Sequence, residues 1–321
     1  MLPTSEHFTL DQLADGVYAA IATPEGAAFS NAGIVDMGDH TLIFDTFDAP
    51  QAAENLRAAA EQLTGRSADY VVISHWHPDH WLGNQAFAGQ ATIIATHQTL
   101  EEMRPVAQEI AASEPDPSQL EQAILENQQR LETETDERWR AGLVRSISRL
   151  RHSLQALPIL SVHLPNLTFE TRLAFHGGRR NADLLTWGAG HTSSDCFLLL
   201  PEERIAFAGD LAFFHSQPFM PYCDPQAWIT CLDKLDQLAV DTFVPGHGPL
   251  GTRADIALQR QYLVMLEEMV ADAIRAGRPV EETLRQPLPT PFDTWLMGGM
   301  GRFEANVQFL FQRLSPLPPT V

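Results

Sequence analysis

Positive charge is what this sequence has least of. Lysine and arginine number 21 against 41 aspartates and glutamates, a formal charge of -20 over 321 residues. Nucleic-acid binding rests largely on neutralising phosphates with Lys and Arg, so no nucleic-acid partner is expected. Cysteine is also scarce. The three present, Cys196, Cys223 and Cys231, are odd in number and have no C-x-x-C spacing. That argues against a disulfide framework and points to a reducing compartment. No apolar run approaches membrane-spanning length, so no membrane partner is expected. The segment from Met1 to Ala20 carries Glu6, Asp11 and Asp15 but no basic or apolar stretch of secretory type. The expected location is cytoplasmic. Internal repeats are absent.

What is present is an alternation of strands and helices. Hydrophobic residues make up 44% of the chain, enough for a large core. Val17–Ile21, Gly33–Asp36, Thr41–Phe44, Tyr70–Ile73 and Ala91–Ala95 read as strands. Pro50 to Leu63 carries Ala52, Ala53, Leu56, Ala59, Ala60 and Leu63 at helical spacing. From Gln98 to Leu157 glycine nearly vanishes, and Leu120, Ile124, Leu131, Trp139, Leu143, Ile147, Leu150 and Leu154 form a helical stripe. This reads as a helical insertion whose arginines, Arg138, Arg140, Arg145, Arg149 and Arg151, lie on a solvated face paired with carboxylates. After Pro158 the strand pattern returns, with Leu167–Phe169, Leu173–Phe175, Leu184–Trp187, Cys196–Leu200, Ile205–Ala208 and Thr242–Val244. Helices are expected near Pro225–Leu238 and Arg253–Ala276. The pattern is α/β. Residues 1–286 are read as one catalytic domain containing the 98–157 insertion, and 287–321 as a tail packing on it, with one helical face at Phe303, Val307, Leu310, Phe311 and Leu314.

Four of these strands end in residues that bind metals. Tyr70–Ile73 leads into Ser74-His75-Trp76-His77-Pro78-Asp79-His80, and Leu184–Trp187 into Gly188-Ala189-Gly190-His191-Thr192. Ile205–Ala208 leads into Gly209-Asp210, and Thr242–Val244 into Pro245-Gly246-His247-Gly248. Side chains at strand ends converge along one sheet edge, where open α/β folds place their sites. Imidazole and carboxylate are zinc ligands, and His75 and His77 alternate so that both can reach one ion. Alone, His191 or His247 would more often be a core or surface histidine, and Asp210 a turn former. Four such residues within six positions are hard to explain that way. His7, His40, His97, His152, His163 and His176 have no comparable setting.

The series His75-x-His77-x-Asp79-His80, then Gly-His191-Thr, Gly-Asp210 and Pro-Gly-His247-Gly, resembles the full metal signature of the metallo-β-lactamase superfamily. The likeness runs from about Val17 to Gly251, interrupted by the insertion. It implies a four-layer αβ/βα sandwich with metals at one edge. Carried over, His75, His77 and His191 would hold one ion, Asp79, His80 and His247 a second, and Asp210 would bridge them. The implied cofactor is two Zn2+, with iron or manganese as alternatives. The implied activity is hydrolysis by a metal-bridging hydroxide, with Asp79 and Asp210 orienting the nucleophile or moving its proton.

Departures from the family's branches narrow the substrate. A bridging aspartate at 210 disfavours a true β-lactamase, and His77 disfavours the flavodiiron branch, which has glutamate there. Pro245-Gly246-His247-Gly248-Pro249 does not match glyoxalase II. Phe213 or Phe214 stands where quorum-sensing lactonases place tyrosine. Trp76, Trp81, Phe213, Phe214, Phe219 and Tyr222 are candidates for an apolar pocket. The expectation is a small apolar ester, lactone, thioester or amide as substrate. A β-lactamase-like amide hydrolase, a phosphodiesterase and a mononuclear iron persulfide dioxygenase are the alternatives. The insertion and the Trp295–Arg302 segment are candidate lids, and the insertion is alternatively the arm of a homodimer.

Overall fold

The structure is a computed structural model describing residues 1–112, 116–295 and 302–315. Two sheets lie face to face. The first contains β1 (Phe8–Ala14), β2 (Val17–Ala22), β3 (Ala32–Asp36) and β4 (Thr41–Phe44). After α1 (Pro50–Thr64) come β5 (Tyr70–Val72) and β6 (Thr92–Thr96). Three helices follow, α2 (His97–Ala112), α3 (Ser118–Thr133) and α4 (Glu137–Ala156), before β7 (Leu167–Phe169) closes that sheet. The second sheet contains β8 (Arg172–His176), β9 (Asn181–Gly188), β10 (Asp195–Leu200) and β11 (Ile205–Phe213). After α5 (Pro225–Gln237) comes β12 (Thr242–His247), and then α6 (Arg253–Arg275), α7 (Val280–Leu284) and α8 (Arg302–Leu314). The first sheet runs β1 to β7 in order, antiparallel as far as β4 and parallel beyond it. The second runs β12-β11-β10-β9-β8, with only β11 and β12 parallel.

Successive side chains on a strand point to opposite faces, and both faces here are apolar, so each strand feeds two cores. In β3, Ile34 points to α1 and Val35 to the opposite sheet. In β4, Ile43 faces the helices while Leu42 and Phe44 face inward. Phe207 of β11 joins the core between the sheets, while Ala206 and Ala208 join the outer core under α5, α6 and α8. The three apolar layers are thus the three interfaces of a helix–sheet–sheet–helix sandwich, as the resemblance implied. Helix ends carry their own signals. The Asp224 side chain accepts from the Gln226 and Ala227 amides at the start of α5, and Thr252 and Asp255 cap α6 reciprocally. No helix among the described residues is long and apolar enough to cross a membrane.

The structure adds to the sequence reading at two points, β1 and the helical segment. The edge strand β1 was not read from the sequence, because it has no apolar run and only Phe8 of its residues is buried. The helical segment holds three helices with different duties. Met103 and Ala107 of α2 pack into the core of the first sheet, whereas α3 buries no residue and pairs with α4. The tail helix α8 buries Phe303, Val307 and Leu310 against the second sheet's outer layer. Of the Trp295–Arg302 segment, residues 296–301, including Gly298, Gly299 and Gly301, lie outside the described residues.

Phe207 is the pin between the sheets. It is fully buried, and its ring lies so close to Gly33 of β3 that a Cβ there would come 2.3 Å from it. Phe207→Ala should destabilise the protein by about 3–5 kcal/mol, read by denaturant unfolding, because the facing sheet cannot collapse into the cavity.

Candidate metal centre

All seven sequence-picked donors are buried at one edge of the sandwich, at the C-terminal ends of β5, β9, β11 and β12. His75 and His77 follow β5, and Asp79 and His80 sit in the short 3-10 turn Pro78–His80. His247 is the last residue of β12. Asp210 was expected in a loop after Ile205–Ala208. Instead β11 continues to Phe213, and Asp210 lies within it, where the pairing with β12 is irregular. Gly209, at φ 53, makes that irregularity, which re-aims the next side chain into the site. Gly246 on the neighbouring strand leaves room for it, since a Cβ there would lie 1.9 Å from Asp210 Oδ1.

The donors fall into two groups, His75, His77, His191 and Asp210, then Asp79, His80 and His247. Within each, the donor atoms lie within 4.8 Å of one another. Asp210 divides between them. Its Oδ2 is 3.2 Å from His191 Nε2 and 3.7 Å from His75 Nε2. Its Oδ1 is 3.1 Å from His80 Nε2 and 3.5 Å from His247 Nε2. Asp79 Oδ2 stands 3.3 Å from His247 Nε2.

Hydrogen bonds outside the cluster fix which ring nitrogen is free. His247 Nδ1 meets the Phe29 carbonyl at 3.2 Å, and a carbonyl only accepts, so Nδ1 carries the proton. His80 Nδ1 donates to Asp45 Oδ2 at 2.7 Å. Ser74 Oγ donates to the same carboxylate at 2.8 Å and so accepts from His75 Nδ1 at 3.0 Å. All three histidines therefore turn an Nε2 lone pair inward. Those of His75 and His80 are buried with no hydrogen-bond partner. His77 Nδ1 and His191 Nε2 face each other at 2.9 Å, where two lone pairs would repel. Buried lone pairs and carboxylate oxygens converging in this way fit a pair of divalent cations.

The electrostatics favour neutral imidazoles at His75 and His77. Burial lowers the pKa of His75 well below its ordinary value, helped by the charge of His80. Burial, with His191, lowers His77 to about 3. For His80, burial opposes the charge but is outweighed by Asp210 and Asp45, which raise its pKa. For Asp79 and Asp210, burial is likewise outweighed by the surrounding imidazoles, which keep both carboxylates ionised.

A cavity of about 310 Å³ opens onto His77, Asp79, Asp210 and His247. Trp76, Phe219 and Tyr222 line it as expected. Trp76 and Tyr222 stand edge to face at 5.1 Å, with Tyr222 exposed at the mouth. The other three pocket candidates lie in the core. Trp81 is fully buried and donates its indole N–H to the Trp76 carbonyl. Phe213 lies beneath the donors, stacked on His247 at 5.0 Å, and the Phe214 ring lies against Gly251. Strand alternation separates that pair, so one member reaches a donor but neither reaches the cavity.

Sequence reading missed Phe29, Arg149 and Arg302 on the cavity wall, and Asp45 behind it. The solvated-face reading fails for Arg145 and Arg149. Arg149 bonds Asp48 at 3.0 Å and Arg145 donates to the Phe29 carbonyl at 3.1 Å, so this face of α4 lies against the site. Their spacing of four puts both on one face of α4, opposite the buried Leu143 and Ile147, so the apolar stripe gave no signal that this face would dock.

The chain matches the family model described as "Metallo-beta-lactamase superfamily" over residues 26–247. No curated protein sequence matches. Two solved structures share the fold. The metallo-beta-lactamase from Pontibacter korlensis is 17% identical with a TM-score of 0.55, and that from Hirschia baltica is 14% identical with a TM-score of 0.56. Each match covers 80% of this chain and 98% of the other.

Asp45, held at φ 59, orients His80 directly and His75 through Ser74. Asp45→Asn sets an amide N–H against His80 Nδ1–H and favours the wrong tautomer. We expect metal affinity to fall about 10- to 100-fold in chelator competition, with the circular dichroism spectrum retained.

Proposed function

The chain belongs to the metallo-β-lactamase superfamily, and on that premise we propose that it is a dinuclear zinc hydrolase of small esters, lactones, thioesters or amides. The observation that carries the reading is the division of Asp210, one carboxylate oxygen toward each donor group. His75, His77, His191 and Asp210 Oδ2 would hold one ion, and Asp79, His80, His247 and Asp210 Oδ1 the other. Iron or manganese would also suit these donors. When bound, the pair supplies Lewis acidity toward a carbonyl oxygen and a water acidic enough to ionise near neutral pH.

The chain's own residues do the rest. Asp79 lines the cavity and turns Oδ2 to His247, which leaves Oδ1 to accept a proton from the attacking water. Trp76, Phe219 and Tyr222 pack the apolar part of a substrate and exclude bulk water from the reacting carbonyl. Burial pushes the Cys223 thiol pKa far above its ordinary value and raises that of Cys231 to about 11, so neither is a thiolate nucleophile. A mononuclear dioxygenase would not use His247, yet His247 Nε2 is turned into the second donor group.

The test is metal quantitation together with a panel of ester, lactone, β-lactam and phosphodiester substrates. We expect about two transition-metal ions per chain and turnover of an ester or lactone that a strong chelator abolishes. Asp210→Ala should lose activity by at least about 1,000-fold and lower the metal content, with the fold retained. A saturated preparation holding one ion, or unchanged turnover in Asp210→Ala, would refute the dinuclear reading.

A further inference from the structure

The protein is strongly acidic, yet its candidate site is ringed by arginine. Around the Phe29 ring, the guanidinium carbon of Arg149 lies 3.8 Å from the centroid, that of Arg145 5.2 Å and that of Arg302 5.6 Å. Arg302 also lies 5.5 Å from the Phe213 ring centroid. Arg149 and Arg302 line the same cavity as Asp79, Asp210 and His247. Only one carboxylate forms an ion pair with these three cations among the described residues: Asp48, with Arg149 at 3.0 Å. Arg302 is only 5% exposed. It donates to the Gln217 carbonyl at 3.0 Å and has no ion-pair partner among the described residues. Arg145 Nε is buried with no hydrogen-bond partner among the described residues.

Gathering three like charges at one aromatic ring, largely out of water, is costly unless something opposes them. The carboxylates that oppose Arg302 at longer range are Asp210 and Asp79. A metal pair would draw on those same two carboxylates, so they cannot also serve the arginine. With Asp48 taken up by Arg149, the remaining source of negative charge for Arg302 is whatever enters the cavity.

We propose that the cavity binds its substrate through an anionic group, a carboxylate or comparable oxyanion, held by Arg302 and Arg149 with Arg145 behind them. Arg302 presents a fixed fork of N–H donors suited to a planar carboxylate, and Phe29 keeps the three guanidinium planes in place. The aromatic wall of Trp76, Phe219 and Tyr222 then takes the apolar body of the substrate, and the anion fixes which end faces Asp79 and Asp210. This assignment rests on the hydrolase reading and narrows its substrates from neutral esters to half-esters and other acid-bearing acyl compounds.

Two measurements on the metal-loaded protein test it. The first compares kcat/KM for 4-nitrophenyl hydrogen glutarate with that for neutral 4-nitrophenyl valerate. Wild type should prefer the glutarate by at least about tenfold, despite the net charge of the protein. Arg302→Gln and Arg149→Gln should each reduce the ratio about 10- to 100-fold, and Arg302→Lys should keep part of it. A wild-type preference for the neutral ester, or a preference that survives both Gln substitutions, would overturn the proposal. The second measurement is calorimetric binding of benzenesulfonate, a poor metal ligand, to wild type and to both variants. Binding that Arg302→Gln or Arg149→Gln abolishes supports the subsite even if neither ester turns over, in which case only the hydrolase reading falls. Absent binding, or equal binding in all three proteins, sinks the subsite while leaving the hydrolase reading to its own test. Arg149 is at the cavity edge, so its variant remains informative if loss of the buried Arg302 impairs folding.

Discussion

One carboxylate shared between two sets of donors is the constraint on which the rest of the structure turns. Asp210 must place one oxygen near His75 and His191 and the other near His80 and His247. To do so it leaves the regular pleat of β11 through the left-handed Gly209, and it takes the space that a side chain at position 246 would occupy. The two adjacent parallel strands thus give up regular register at the one point where both must deliver a donor. Such a concentration of buried polar atoms would destabilise a fold that merely had to be compact. The outer hydrogen bonds of Asp45, Ser74 and the Phe29 carbonyl compensate for part of it by leaving His75, His80 and His247 a single usable tautomer each.

How much of this could be read from the sequence follows from which physical signals are local. Strands buried on both faces show as short apolar runs, so the cores and the strand ends were visible. The close spacing of His75, His77, Asp79 and His80 stood out because a core histidine rarely comes in such company. Edge strand β1 was not visible, since an edge with one exposed face offers too little apolar contrast over seven residues. Asp45 was also missed. A single aspartate after an apolar strand looks like an ordinary turn former, and its role depends on His80, which lies 35 positions away in the chain. Trp81 and Phe213 were placed on the pocket wall because they neighbour donors in sequence. Neighbouring a donor does not decide whether a side chain faces the cavity or the core beneath it.

The arginines of α4 show the same limit from the opposite side. Five arginines in one helical stretch of an acidic protein read most simply as a solvated face. Yet Arg145 and Arg149, four apart, share a face of α4 that lies opposite the buried Leu143 and Ile147. That polar face docks as well, through the hydrogen bonds and the ion pair of Arg145, Ser148 and Arg149, which an apolar pattern does not reveal. The surface it meets includes the loop bearing Phe29 and, through it, the mouth of the site.

This placement bears on what the helical segment is for. Leu143 and Ile147 are buried within the chain, Ser148 donates to the Glu25 carbonyl at 2.7 Å, and Arg149 is anchored on Asp48. The helix is thereby tied to the loop that supplies Phe29, whose carbonyl in turn fixes the proton on His247. A displacement of α4 would therefore be felt at a metal-donor candidate within two hydrogen bonds. The same helix thus meets the cavity wall through Arg149 and a candidate metal donor through the Phe29 carbonyl.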